Sequence, residues 1–128
     1  MERARGPEHR DLAVLFNNLG YVRLELGDSE AAYGAFARSL RIYDANDARN
    51  SAQTFPTELG LAIAARRRKR YEEAGVLYEA LLLRVRTGDA AALHDPTDVF
   101  EGAAKTYDAL GNSERAAALR REAQDHAD

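Results

Sequence analysis

The chain has no cysteine, only three prolines and no long apolar run. Without cysteine there is no disulfide framework, no zinc-thiolate centre and no thiol nucleophile. The longest apolar stretch, Leu59 to Ala65, is far short of the roughly 20 residues that span a bilayer. The start, Met1-Glu2-Arg3-Ala4-Arg5-Gly6-Pro7-Glu8, is charged where a signal peptide needs an apolar core. The expectation is a cytoplasmic protein with no membrane partner. No stretch alternates with period two between turn residues, so no sheet is expected. A formal charge of −3 supplies no overall field to attract nucleic acid.

What is present favours helix. Alanine occurs 25 times, and it loses no side-chain freedom in a helix. The apolar share of 45% and charged share of 30% are those of an ordinary globular chain. Its 128 residues fit one domain. Arginine outnumbers lysine 16 to 2, as expected of a GC-rich, bacterial coding sequence.

Shifting the sequence by 42 residues brings three segments into register. Gly27-Asp28-Ser29-Glu30-x-Ala32 meets Lys69-Arg70-Tyr71-Glu72-Glu73-Ala74, then Gly111-Asn112-Ser113-Glu114-x-Ala116. Upstream, Leu19-Gly20 meets Leu61-Ala62 and Ala103-Ala104; downstream, Phe36 meets Tyr78 and Arg120. A fixed period of this size marks a stacked array. Each unit reads as two helices, placed near 9–26, 29–45, 55–69, 71–87, 97–110 and 113–126. In the first helix Leu12, Leu15, Phe16, Leu19, Val22 and Leu26 predict one inward stripe; in the second, Ala32, Phe36, Leu40 and Tyr43. Gly27 and Gly111 predict left-handed stops, with Asp28 and Asn112 as caps of the following helices. Lys69 stands where a third glycine is expected; either it turns left-handed at a cost on the order of 1 kcal/mol, or that turn differs. Gly20, Ala62 and Ala104, with Ala32, Ala74 and Ala116, mark close crossings, and large aromatics are expected beside them.

This pattern resembles the tetratricopeptide repeat, most fully in Phe16-x-x-Leu19-Gly20…Gly27-Asp28…Ala32-x-x-x-Phe36. The longer period is similar to repeats of the kinesin light chain type, as is the run His9-Arg10-Asp11-Leu12-Ala13…Asn17-Asn18-Leu19-Gly20. His94-Asp95-Pro96-Thr97-Asp98-Val99 echoes that run before the third unit. The resemblance implies an all-α, right-handed solenoid of three helical hairpins, with residues 9–128 as one domain after a charged segment 1–8. Its repeats would cover about 9–46, 55–88 and 97–126, and the polar last helix would act as a cap. It further implies that the first helices line a groove for an extended or helical peptide of another protein.

The groove-facing positions implied by the resemblance are Val14, Asn17, Tyr21, Leu24 and Glu25 in the first unit. In the second they are Pro56, Leu59, Ile63, Arg66 and Arg67, and in the third Asp98, Glu101, Lys105, Asp108 and Ala109. The family's Lys-Asn-Arg clamp for a terminal carboxylate is not reproduced. Asn17 either bonds a peptide backbone or is a solvated helix residue, and the sequence leaves both open. The run Arg66-Arg67-Arg68-Lys69-Arg70 closes a helix, where cations offset the dipole. A solvated helix end is the first reading of it, an acidic partner the second and nucleic acid the last.

His9, His94 and His126 form no metal-binding pair, and there is no phosphate-binding glycine motif or nucleophile elbow. Neither an enzyme nor a cofactor is expected. Besides groove binding, self-association is the second expectation. Val22 lies on a face that a preceding repeat would cover, so the first pair presents an open apolar end, either a homodimer surface or a docking face for a partner helix or larger complex.

Overall fold

In the computed structural model, residues 10–46, 54–87 and 96–127 are described. The helices among them are α1 (Arg10–Glu25), α2 (Ser29–Ala45), α3 (Thr54–Arg67), α4 (Tyr71–Arg86), α5 (Thr97–Ala109) and α6 (Ser113–Ala127). They pair as α1–α2, α3–α4 and α5–α6, and each packs on its neighbours in the chain. The first helices also touch, α1 against α3 and α3 against α5, whereas the second helices do not pack on one another to that degree. The stack therefore curves with α1, α3 and α5 inside. It is an all-α, right-handed solenoid of three hairpins. The His9 and His94 parts of the sequence runs noted above lie outside the described residues.

The turn within each hairpin is built the same way. Gly27 and Gly111 have φ of 83°, and Lys69 has φ of 66°. In each, the N–H of the following residue reaches back five positions: Asp28 to Arg23, Arg70 to Ala65 and Asn112 to Tyr107, at 2.8–2.9 Å. The left-handed residue itself bonds three positions back, and the two bonds satisfy carbonyls the helix end leaves over. Asp28 and Asn112 then cap the next helix, their side chains accepting at 3.1 Å from the N–H groups of Ala31 and Arg115. Arg70 offers no such bond, so the middle turn carries both a strained lysine and an uncapped helix.

The joints are made by aromatic rings set on backbone. Phe36 is fully buried against Gly20, where an added Cβ would come within 2.6 Å of the ring, and a Cβ at Gly60 would overlap it as well. Tyr21 meets the same ring edge-on at 4.9 Å. One unit on, Tyr78 is fully buried over Gly102, whose Cβ would overlap the phenol. Phe36 and Tyr78 thus lock each second helix onto the first helix of the next pair. Ala32, Ala62, Ala74, Ala104 and Ala116 are fully buried at the close crossings, as their size predicts. Polar groups inside are tied down: Ser39 Oγ donates to the Ala13 carbonyl at 2.7 Å. Arg84 meets Glu58 at 2.6 Å with both side chains nearly buried, its guanidinium also 5.2 Å from the Phe55 ring.

The stripe expected inside α1 is the one part of the core that the structure turns round. Ala13, Gly20 and Leu24 are buried, while Leu15, Leu19, Val22 and Leu26 are exposed by 40–69%. Both faces of α1 are apolar, and the close crossing with α2 selects the one with small residues. A ring can settle onto Gly20; it cannot settle onto a row of leucines.

Phe36→Ala should cost about 3–5 kcal/mol, enough to abolish cooperative unfolding in a marginal array. Lys69→Gly should gain on the order of 1 kcal/mol by relieving the left-handed side chain. Urea melts followed by circular dichroism check both, the midpoint falling for the first and rising for the second.

Candidate functional site

Inside the curve, α1, α3 and α5 present a surface whose floor is knitted together and whose rim is open. Tyr21 Oη donates to the Pro56 carbonyl at 2.6 Å, and Thr57 Oγ1 donates to Asn17 Oδ1 at 2.7 Å. Arg67 donates to the Leu24 carbonyl at 3.3 Å, and Arg66 Nε to Tyr78 Oη at 3.4 Å. Leu24 and Leu59 are buried beneath, and Ile63 is half-buried. Burial raises the Tyr21 phenol well above its usual value, reinforced by the Asp98 carboxylate and by Tyr78. Tyr78 is likewise raised by burial, against the opposing pull of Arg66 and Arg67, and also senses Asp98. Both phenols therefore keep their protons, and Tyr21 stays a donor.

The rim is charged. Glu25, Arg67, Asp98, Glu101, Lys105 and Asp108 are exposed, as are Val14 and Ala109. Asp108 pairs with Arg120 of α6 at 2.7 Å across the surface. Of the groove residues expected from the sequence, Leu24 is therefore core, and Asn17 and Tyr21 hold α1 to α3. Asn17 follows neither of its two expectations in full, because its oxygen is engaged within the fold. The exposed groove positions concentrate on α5, all five of which face solvent.

The basic run is drawn into the fold more than a solvated helix end requires. Besides the bonds of Arg66 and Arg67, the guanidinium groups of Arg68 and Arg70 lie 4.9 and 5.2 Å from the Tyr33 ring centroid. Tyr33 in turn donates to Glu73, which sits 3.6 Å from Arg70. The sequence alone did not point to Tyr33, which lies far from the run along the chain. An aromatic on the second helix just after a Gly-Asp turn is the signal that would have found it.

A second concavity lies on the outer side, between α4 and the end of α5. It is open, about 370 Å³, and lined by Glu72, Gly75, Val76, Glu79, Tyr107 and Leu110. Glu79 accepts from Tyr107 Oη at 2.7 Å and from Arg115 at 2.8 and 3.1 Å. Burial works to raise its carboxyl, but these bonds outweigh it and hold Glu79 below the ordinary glutamate range. Its acceptors are thus spent on the fold. Among the described residues no group of histidines and carboxylates converges as a metal site. No helix among them is long and apolar enough to cross a membrane.

The fold is now defined: a short solenoid of helical hairpins, similar to that of a tetratricopeptide-repeat domain. The chain is similar to the crystal structure of the TPR domain of Arabidopsis FLU, with a TM-score of 0.77 and 19% identity. That likeness covers 91% of this chain and 94% of the other. At that identity it speaks for the fold. No family model and no curated protein matches the sequence.

Because Glu79 has a lowered carboxyl in the folded state, its contribution is present above the unfolded value of about 4.3 and lost as pH falls through the lower folded value. Glu79→Gln should therefore be less stable than the parent near neutrality, with the gap closing below about pH 4. Thermal melts of both proteins across pH 3–7 check it.

Proposed function

We propose that this chain is a non-catalytic scaffold whose inner surface binds a peptide segment of another protein. The observation that carries this reading is the uncovered charged rim above an apolar floor. Asp98, Glu101, Lys105 and Asp108 are exposed on α5 and Arg67 on α3, while Ile63 on α3 and Tyr21 on α1 are half-buried. Charge of both signs, mostly acidic, over apolar ground suits a segment with both charged and aliphatic side chains, and favours neither a polyanion nor a bare hydrophobic strand. Nucleic acid ranks last, because four of the five cations of the basic run already contact Tyr33, Tyr78 or the Leu24 carbonyl.

The array is best read as units of 42 residues of the kinesin light chain type, forming one domain over residues 9–128. Left-handed turns at 27, 69 and 111 support that period. So does the recurrence of one joint, Phe36 on Gly60 and then Tyr78 on Gly102. A cytoplasmic location fits this role. The exposed stripe of α1 favours a second reading, self-association through the open first pair.

Panning a random peptide display library on the purified protein tests the groove. Peptides sharing a motif should be enriched, and the double variant Arg67→Glu, Lys105→Glu should weaken them at least tenfold, about 1.4 kcal/mol, while keeping its helicity. Library pools that stay random, or peptides held equally by the variant, would remove the groove from consideration.

A further inference from the structure

Leu12, Leu15, Leu19, Val22 and Leu26 recur along α1 and just past its end at spacings of three, four, three and four. That is the a/d pattern of a coiled-coil seam. Leu12 is half-buried against Ala13, Ile42 and Tyr43; the other four stand open to solvent at 61%, 40%, 50% and 69%. The positions of Leu12, Leu15, Leu19 and Val22 are one unit on Thr54, Thr57, Leu61 and Ala64, and those of Leu15, Leu19 and Val22 are two units on Val99, Ala103 and Thr106; each of these seven is at most 8% exposed. The ends of the seam are less covered: Pro96, answering to Leu12, and Arg68, answering to Leu26, are half-buried, and Leu110, also answering to Leu26, is 40% exposed. The middle of the α1 face thus occupies a place that is otherwise interior.

What covers it differs from what covers its counterparts. The joints inside the stack need a glycine socket, Gly60 for Phe36 and Gly102 for Tyr78. The corresponding residue of α1 is Asn18, and large leucines flank it. A second helix carrying an aromatic like Phe36 cannot seat there. Nor can α6 of another copy, which places Arg120 and Gln124 where the other second helices carry their aromatic and leucine. A leucine ridge matches another leucine ridge. We propose that the occupant is a second copy of this chain, its α1 laid antiparallel along this α1 about a two-fold axis near Leu19.

In that register Leu15 meets Val22 of the second copy, Leu19 meets its equivalent, and Leu12 meets Leu26, so aliphatic faces aliphatic throughout. Antiparallel helices also set opposite dipole ends side by side. Four half-exposed aliphatic side chains and their flanks from each copy bury on the order of 1,000 Å² in total, the lower bound of a specific contact. The pairing is isologous, each copy using the same face, so its two-fold symmetry closes it at two. It takes up the end-face part of the function proposed above and is independent of the groove.

Sedimentation equilibrium over a concentration series is the test. The parent should pass from monomer to dimer in the micromolar range. Leu19→Glu, Val22→Glu should stay monomeric with unchanged circular dichroism. Val76→Glu, Leu83→Glu, which removes a still more exposed apolar pair on α4, should dimerise like the parent. In a chain without cysteine, Leu19→Cys should cross-link between copies on mild oxidation. Leu26→Cys should not, since seven residues from the axis put the two thiols about 20 Å apart. A parent that is monomeric at millimolar concentration overturns the proposal, as does a dimer indifferent to Leu19→Glu, Val22→Glu. Equal cross-linking at both positions overturns the antiparallel register. Peptide capture by the groove is unaffected by either result, so the two readings fail separately.

Discussion

Everything in this molecule hangs on two rings seated on bare backbone. Phe36 over Gly20 and Gly60, and Tyr78 over Gly102, bring successive hairpins closer than any side chain would permit. That approach brings α1, α3 and α5 together on the inner side of the curve. It also brings Tyr21 within reach of the Pro56 carbonyl and Thr57 within reach of Asn17. The inner surface is therefore a product of the joint: its apolar floor of Leu24, Leu59 and Ile63 is cross-tied by the polar bonds between first helices. Replace a glycine there and the surface loses its shape before it loses any contact with a partner.

The hairpin turns follow a different logic, local and indifferent to the joint. A left-handed residue, a return bond over five positions and an Asp or Asn cap recur at 27 and 111, and the middle turn keeps the geometry without the favoured residues. Lys69 bears the strain at a point where its neighbours are tied across the fold, Arg67 to the Leu24 carbonyl and Arg68 and Arg70 around Tyr33. Those long-range contacts over-determine the turn, which is how a conformation disfavoured for lysine persists.

The helices were legible within two residues because the first and third hairpin turns have chemical stops, glycine after the periodic run and then a capping side chain, and the middle turn keeps their register. The close crossings were legible because alanine and glycine recur where bulk is excluded. What could not be read was which of two apolar faces of α1 turns inward. Hydropathy ranks Leu15 and Leu19 above Ala13 and Gly20, whereas packing against α2, Ala13 on Ile42 and Tyr43 and Gly20 on Phe36, ranks them the other way. Several groove residues escaped for a related reason. Leu24 and Asn17 sit at positions that face a ligand in the general pattern, but here the α1–α3 contact consumes them. The Arg66 to Arg70 run read as solvated because its partners, Tyr33, Tyr78 and the Leu24 carbonyl, lie on three other helices.

The last helix is held differently from the rest. Ala116 and Leu119 are its fully buried hydrophobic residues, and three ion pairs flank them, Arg115 with Glu79, Glu122 with Arg86 and Arg120 with Asp108. Each pair is partly or largely exposed, and pairs of that kind weaken as counterions crowd in, within a screening length of about 8 Å at physiological ionic strength. The two ends of the stack thus answer to different solvents: the leucine end to whatever is apolar nearby, the arginine end to salt. Raised ionic strength would weaken those pairs, each worth at most about 1 kcal/mol, and leave the buried Ala116 and Leu119 to hold α6 in place.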